Sequence, residues 1–165
     1  MAKTDQELGG SLVARVEVRD GATWIALIGK VTEAANFTPL MKQRSPVHVD
    51  LSAVERINSL GVRGWVHFVR DCEAAGLAMT FDRVSPVMIQ QVSMISNFFG
   101  ARSQVRSLFV PYLCPKCNSE DTKLVEVTPG APLPVALTVP CPKCGSPMQL
   151  EELEEMYASL FDKPT

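Results

Sequence analysis

The chain has 165 residues, a formal net charge of −2 and a hydrophobic fraction of 46%, a composition with room for one good core and a small appendage. No apolar run approaches the roughly 18 residues a membrane helix needs, and the polar start from Met1 to Gly10 lacks the basic-then-apolar layout of a secretory signal. Arginines and lysines slightly outnumber acids up to Val110, and acids dominate beyond it, notably at Glu151, Glu152, Glu154 and Glu155; a phosphate-binding surface must be cationic, which argues against a nucleic-acid partner.

Leu12 to Arg19 alternates apolar and polar residues and reads as a half-buried strand. Asp20-Gly21 is a hairpin signal, and Ala22 to Val31 supplies the return strand. Thr32 can cap a helix from Glu33 to about Lys42, with Pro39 as a point of kinking or splitting, before Ser45-Pro46 ends it. Val47 to Val54 is a β-branched strand. Asn58 to Gly76 reads as a helix whose core face carries Val62, Trp65, Val66, Val69, Cys72 and a single polar residue, Glu73. Leu77 to Val84 is a further strand. Ser85-Pro86 opens a helix that runs to near Gly100, and Arg102 to Tyr112 is a last strand.

Helices joining short apolar strands imply crossover connections, hence an α/β fold with a mixed sheet and helices packed on one face. The reading divides the chain into this domain over residues 1–110, a small β-rich unit over 111–149, and a tail over 150–165. In the tail Leu150, Leu153, Met156, Tyr157, Leu160 and Phe161 form one stripe of an amphipathic helix. That stripe packs on the chain's own body, or on a partner, or on a second copy in a homo-oligomer.

The small unit carries the strongest chemical signal. Cys114-Pro115-Lys116-Cys117 and Cys141-Pro142-Lys143-Cys144 are identical corners. Two thiolate pairs complete a tetrahedral shell, which predicts one structural zinc ion in a zinc ribbon, with a rubredoxin-like iron site as the competing use of the same spacing. Asn118 and Gly145 follow the corners and tolerate the positive φ of a tight knuckle. Leu124 to Val127 and Val135 to Val139 can form the ribbon strands around a proline-rich loop. His48 and His67 are not needed as ligands, and Cys72 reads as an inert buried thiol. Four of five cysteines in metal corners fit a reducing compartment, so the cytoplasm is expected.

The run Val47-His48-Val49-Asp50-Leu51-Ser52, followed by Asn58-Ser59-Leu60-Gly61-Val62, resembles the STAS domain family, the anti-sigma-factor antagonists and their relatives. The similarity continues through Ala75-Gly76-Leu77 and Val84-Ser85-Pro86-Val87 and covers most of residues 10–110. The resemblance implies a non-catalytic interaction module in bacterial signal transduction, whose partner is a kinase-like anti-sigma factor and whose switch is phosphorylation of the serine matching Ser59. The family usually has Asp where this chain has Asn58, and often a second serine where it has Leu60. From the residues alone, Ser59 is either a helix cap or a phosphorylation site. On the helix wheel Leu60, Gly64, His67 and Asp71 lie opposite the core, flanked by Arg63 and Phe68, and with Asn58 they make the expected partner surface. The second reading is a phosphorylation-independent adaptor in a larger complex. No catalytic dyad, triad or phosphate-binding loop is visible.

Overall fold

Period-2 alternation builds the first part of the chain. The computed structural model describes residues 3–129, 131–152 and 157. Strands β1 (Thr4–Gly9), β2 (Leu12–Arg19) and β3 (Ala22–Val31) form an antiparallel meander. Leu12, Ala14 and Val16 are buried while Arg15 and Arg19 face outward, as a half-buried strand requires. β4 (Val47–Ile57), β5 (Met79–Asp82) and β6 (Gln104–Val105) then add in parallel, giving a six-stranded mixed sheet in chain order. Parallel neighbours need crossovers; helices α1 (Ser59–Ala74) and α2 (Pro86–Val92) supply two of them.

Trp65 anchors α1 to the sheet. It is fully buried, its indole N–H donates to the Phe98 carbonyl at 3.0 Å, and its ring lies 5.6 Å from Phe81 of β5. Phe37, Phe68, Phe98 and Phe99 surround it. Glu73, the lone polar residue of the core face, has a specific use. Its carboxylate accepts from the backbone N–H groups of Ala101, Arg102 and Ser103 and from the Ser103 hydroxyl. Burial opposes ionisation, but these donors prevail and hold the carboxyl below its ordinary range.

Several elements differ from expectation for identifiable reasons. β1 is a polar edge strand, anchored by Leu8, which is 2% exposed; edge strands tolerate polar sequence. The helix expected over Glu33–Lys42 is a turn, closed by Ala35 N–H to Thr32 O, followed by a short 3-10 stretch over Thr38–Lys42. Pro39 cannot donate, and Asn36 N–H is drawn instead to Leu8 O at 2.6 Å. α2 ends at Val92 rather than near Gly100. Leaving the helix there lets Phe98 and Phe99 turn under Trp65. Ser85 is the N-cap position of α2, yet its hydroxyl makes no capping bond.

The strand expected over Arg102–Tyr112 serves two sheets. Gln104 and Val105 pair with Thr80 and Phe81, and Leu108 bridges Val84 in the same register. From Ser107 the line becomes β7 (Ser107–Leu113), which pairs with β8 (Glu120–Glu126) and β10 (Pro147–Leu150); β9 (Thr138–Pro140) pairs with β10. This is a four-stranded antiparallel sheet ordered β8-β7-β10-β9. β8 begins earlier and β9 later than expected. Leu150, expected to open the tail helix, instead ends β10. Most of that helix lies outside the described residues. Tyr157 is 3% exposed within the common core, and the Gln90 side chain of α2 donates to Glu152 at 3.1 Å.

Candidate functional site

The opening turn of α1 follows from two residues. Asn58 is the N-cap: its Oδ1 accepts from Gly61 N–H at 2.8 Å, and its own N–H donates to Val31 O at 3.1 Å. The Asn58 amide nitrogen also donates to Glu33 Oε2 at 2.8 Å, and this bond holds the Glu33 carboxyl below its ordinary range. An aspartate could cap the helix but could not make that donation. Gly61 lets α1 touch the end of β3. A Cβ there would stand 2.1 Å from Val31 O and 2.6 Å from Val31 C.

Capping by Asn58 releases Ser59 from that task. Ser59 is the first helical residue and is exposed. Leu60 beside it is 57% exposed, and Arg63, His67 and Asp71 continue the exposed line. His67 Nδ1 accepts from the Arg70 guanidinium at 2.5 Å. Gly64 is half-buried, with open van der Waals space against Phe37. Phe68 does not belong to this surface. It is 6% exposed and stacks on Phe37 at 4.9 Å and 17°, because the segment that replaced the expected helix lays Phe37 over the flank of α1.

The four corner cysteines converge. Their Sγ atoms all lie within 4.8 Å of one another. Cys114 to Cys144 is 3.5 Å and Cys117 to Cys141 is 3.7 Å. A tetrahedral ion with bonds of about 2.3 Å requires sulfur separations of about 3.8 Å, so the cluster can hold a metal ion. Two matching knuckles create it. Asn118 N–H donates to Cys114 O at 2.8 Å and Cys114 N–H to Ser119 O at 2.9 Å; Gly145 N–H donates to Cys141 O at 2.9 Å and Cys141 N–H to Ser146 O at 2.8 Å. Both turns need a left-handed residue, met by Asn118 at φ 59° and Gly145 at φ 75°. Hydrogen bonding with Ser119, first through its side chain and then its backbone, pulls the Cys117 thiol down to about 6, and Ser146 lowers Cys144, first through its backbone and then its side chain. Thiolates are the metal-binding form.

Cys72 lies apart from this cluster, buried beside Met41 Sδ at 3.4 Å, and burial pushes its thiol up to about 11. His48 is no ligand either: its Nδ1 is 2.6 Å from Thr80 Oγ1 and its ring stacks on Trp24 at 4.2 Å. That stack belongs to a polar trough on the side of the first sheet opposite α1, which sequence reading did not identify. The outward residues of β2 to β5 were legible one strand at a time, but only pairing register joins them. Among the described residues no helix is long and apolar enough to cross a membrane. Comparison of the chain with protein-family models and with curated protein sequences returned no match.

Proposed function

We propose that the chain is a non-catalytic regulatory module of the STAS type, which engages a protein partner through the opening turn of α1 and is switched by phosphorylation of Ser59. The observation that carries this reading is the division of labour at the helix start. Asn58 caps α1, so the exposed Ser59 hydroxyl is free for modification without loss of the cap. Exposed Leu60 offers an apolar contact next to it.

A phosphate on Ser59 would add a charge of about −1.5 to −2. The N-terminus of α1 tolerates an anion through its free N–H groups and dipole. A partner resting on Leu60 would have to strip water from that phosphate, which turns binding into release. The partner class implied by the family resemblance is a kinase-like anti-sigma factor. Intact-mass measurement of protein from its native cell, with identification of what co-purifies, tests the reading. A phosphorylated Ser59 and partner release by Ser59→Glu support it. Equal partner retention by Ser59→Ala, Ser59→Glu and Leu60→Asp overturns it.

One observation favours the adaptor reading, in which binding needs no phosphate. The residue before Ser59 is an amide already engaged by Glu33, so no free carboxylate at position 58 is offered to a kinase. A stable complex with unmodified Ser59 under all growth conditions selects this alternative.

We infer that the cysteine cluster holds one structural zinc ion. Four thiolates fill the tetrahedral shell and the sulfur spacings match it. Metal analysis of protein purified without added ions tests this: one zinc per chain supports it, and one iron with visible absorption replaces it by the rubredoxin-like reading.

A further inference from the structure

The face of the first sheet opposite α1 carries a trough used by neither the cysteine cluster nor the α1 surface. Its floor follows from register. Glu17 faces Trp24, Trp24 faces His48, and His48 faces Thr80. In the adjoining row Arg15 faces Ala26, Ala26 faces Asp50, and Asp50 faces Asp82. Val127 N–H donates to Arg106 O at 2.8 Å, which brings the end of β8 alongside. Leu124 and Glu126 of β8 thereby form the far wall of a cavity of about 480 Å³.

The shape selects the occupant. From β2 to β8 the trough crosses five strand intervals, about 24 Å at roughly 4.8 Å each, the length of about seven extended residues. A modest volume drawn out over that length fits an extended chain better than a compact ligand. Leu124, 48% exposed, gives the wall an apolar contact.

Charge selects the chemistry. Lys3, Arg15 and Arg19 gather at the β2 end beside Glu17; Arg15 is held by Asp5 at 2.9 Å, so Lys3 and Arg19 carry the positive charge offered there. Asp50 and Asp82 stand directly opposite each other in the middle, an arrangement that like charges disfavour. Arg83 and Arg106 lie beyond them, 3.5 Å from Asp50 and 3.7 Å from Asp82. Close charged pairs sit nearer about 2.7–2.9 Å, so both guanidiniums keep donors for a further acceptor. Arg83 also occupies a left-handed conformation at φ 52°, the kind of local strain found at binding sites. Trp24 is held between His48 and Arg19, 4.3 Å from the latter, and its buried Nε1–H has no acceptor among the described residues. A polyacid would meet the carboxylates and a polybase would meet the guanidiniums; a segment carrying both signs matches the alternation.

We propose that this trough binds an extended, mixed-charge peptide segment of a protein partner, with acidic residues over the β2 end and the Arg83–Arg106 end and a basic residue over Asp50 and Asp82. The site is on the opposite side of the sheet from α1 and does not depend on the Ser59 reading. Phage-displayed random heptapeptides panned against the full chain, followed by fluorescence anisotropy of the enriched peptides, test it. The expected consensus has a base between acids. Arg19→Glu and Leu124→Asp, exposed positions at opposite ends, each weaken binding by about tenfold or more, with unchanged melting temperatures, and Leu60→Asp leaves binding unchanged. The proposal is overturned by no enrichment, by a wholly acidic or wholly basic consensus, by peptides that ignore both trough variants, or by sensitivity at one end alone, which would mark a compact ligand.

Discussion

Replacing Gly61 by alanine sets two physical effects against each other. Helix propensity alone predicts a gain, because glycine inside a helix costs about 0.5–1 kcal/mol relative to alanine. Sterics predict a loss. The new Cβ would lie 2.1 Å from Val31 O and 3.1 Å from Thr32 N, and both are backbone atoms that no rotamer change can move. Restoring ordinary contact requires the start of α1 to retreat by more than 1 Å. That shift strains the Asn58 N–H to Val31 O bond and the Asn58–Gly61 cap. Overpacking costs about 1–3 kcal/mol and loss of a cap about 1 kcal/mol. Net of the propensity gain, Gly61→Ala should destabilise by about 1–3 kcal/mol.

Gly64 is the control on the same helix. A Cβ there meets only Phe37 Cε2, at 3.9 Å, so Gly64→Ala should stabilise by about 0.5–1 kcal/mol. At about 2–4 °C per kcal/mol for a chain of this size, thermal unfolding followed by circular dichroism separates the two variants by their opposite signs. A Gly61→Ala protein as stable as the parent, or more stable, would refute the close approach of α1 to β3 and with it the positioning of Ser59.

Glu73→Gln should cost about 2–3 kcal/mol, because it replaces a charged acceptor shared by four donors. Since folding lowers the Glu73 carboxyl, its contribution is complete above the ordinary carboxylate value of about 4.3 and is lost as pH falls through the folded value; urea midpoints from pH 7 to 3 should converge for parent and variant. Phe68→Ala should destabilise by about 3–5 kcal/mol, whereas Leu60→Ala should change chemical denaturation by less than about 0.5 kcal/mol. Stripping the metal should remove amide-exchange protection from Val139 of the edge strand β9 while Val110 and Val125 keep theirs, a contrast that mass-resolved hydrogen exchange reads directly.

Local chemistry made much of this molecule legible. Asp20-Gly21 marks the β2–β3 turn, and the twin cysteine corners with Asn118 and Gly145 announce their knuckles in the sequence itself. Val62, Trp65, Val69 and Cys72 are buried as their helical spacing requires. What escaped depends on partners far along the chain. The wheel set Phe68 on the edge of an exposed face because nothing in α1 reveals Phe37 lying across it. Pro147–Leu150 has little intrinsic strand character; it becomes β10 because the second corner delivers it to β7. The trough is a product of register, so single-strand patterns show its residues without showing that they meet.

The strand line from Gln104 to Leu113 ties the cysteine cluster to the α/β body. Its first residues hydrogen-bond to β5, and its last leads directly into Cys114. Leu108, Val110 and Tyr112 are at most 1% exposed and belong to the same core as Phe81 and Met88. The β7–β8 hairpin therefore has two anchors, apolar burial at one end and the thiolates at the other. β9 depends more heavily on the second, since it has three residues and lies at the edge of the sheet, whereas Met148 of β10 is 0% exposed in the same core. A metal in the cluster, worth about 10–16 kcal/mol in isolated zinc units, would act on a structure whose nearer half is already held by hydrophobic contact. Its loss should release β9 first and leave β8, which walls the trough, in place. Metal binding and the trough are thus separable in stability although they share one strand, while the opening turn of α1, set by Asn58 and Gly61 against β3, is independent of both.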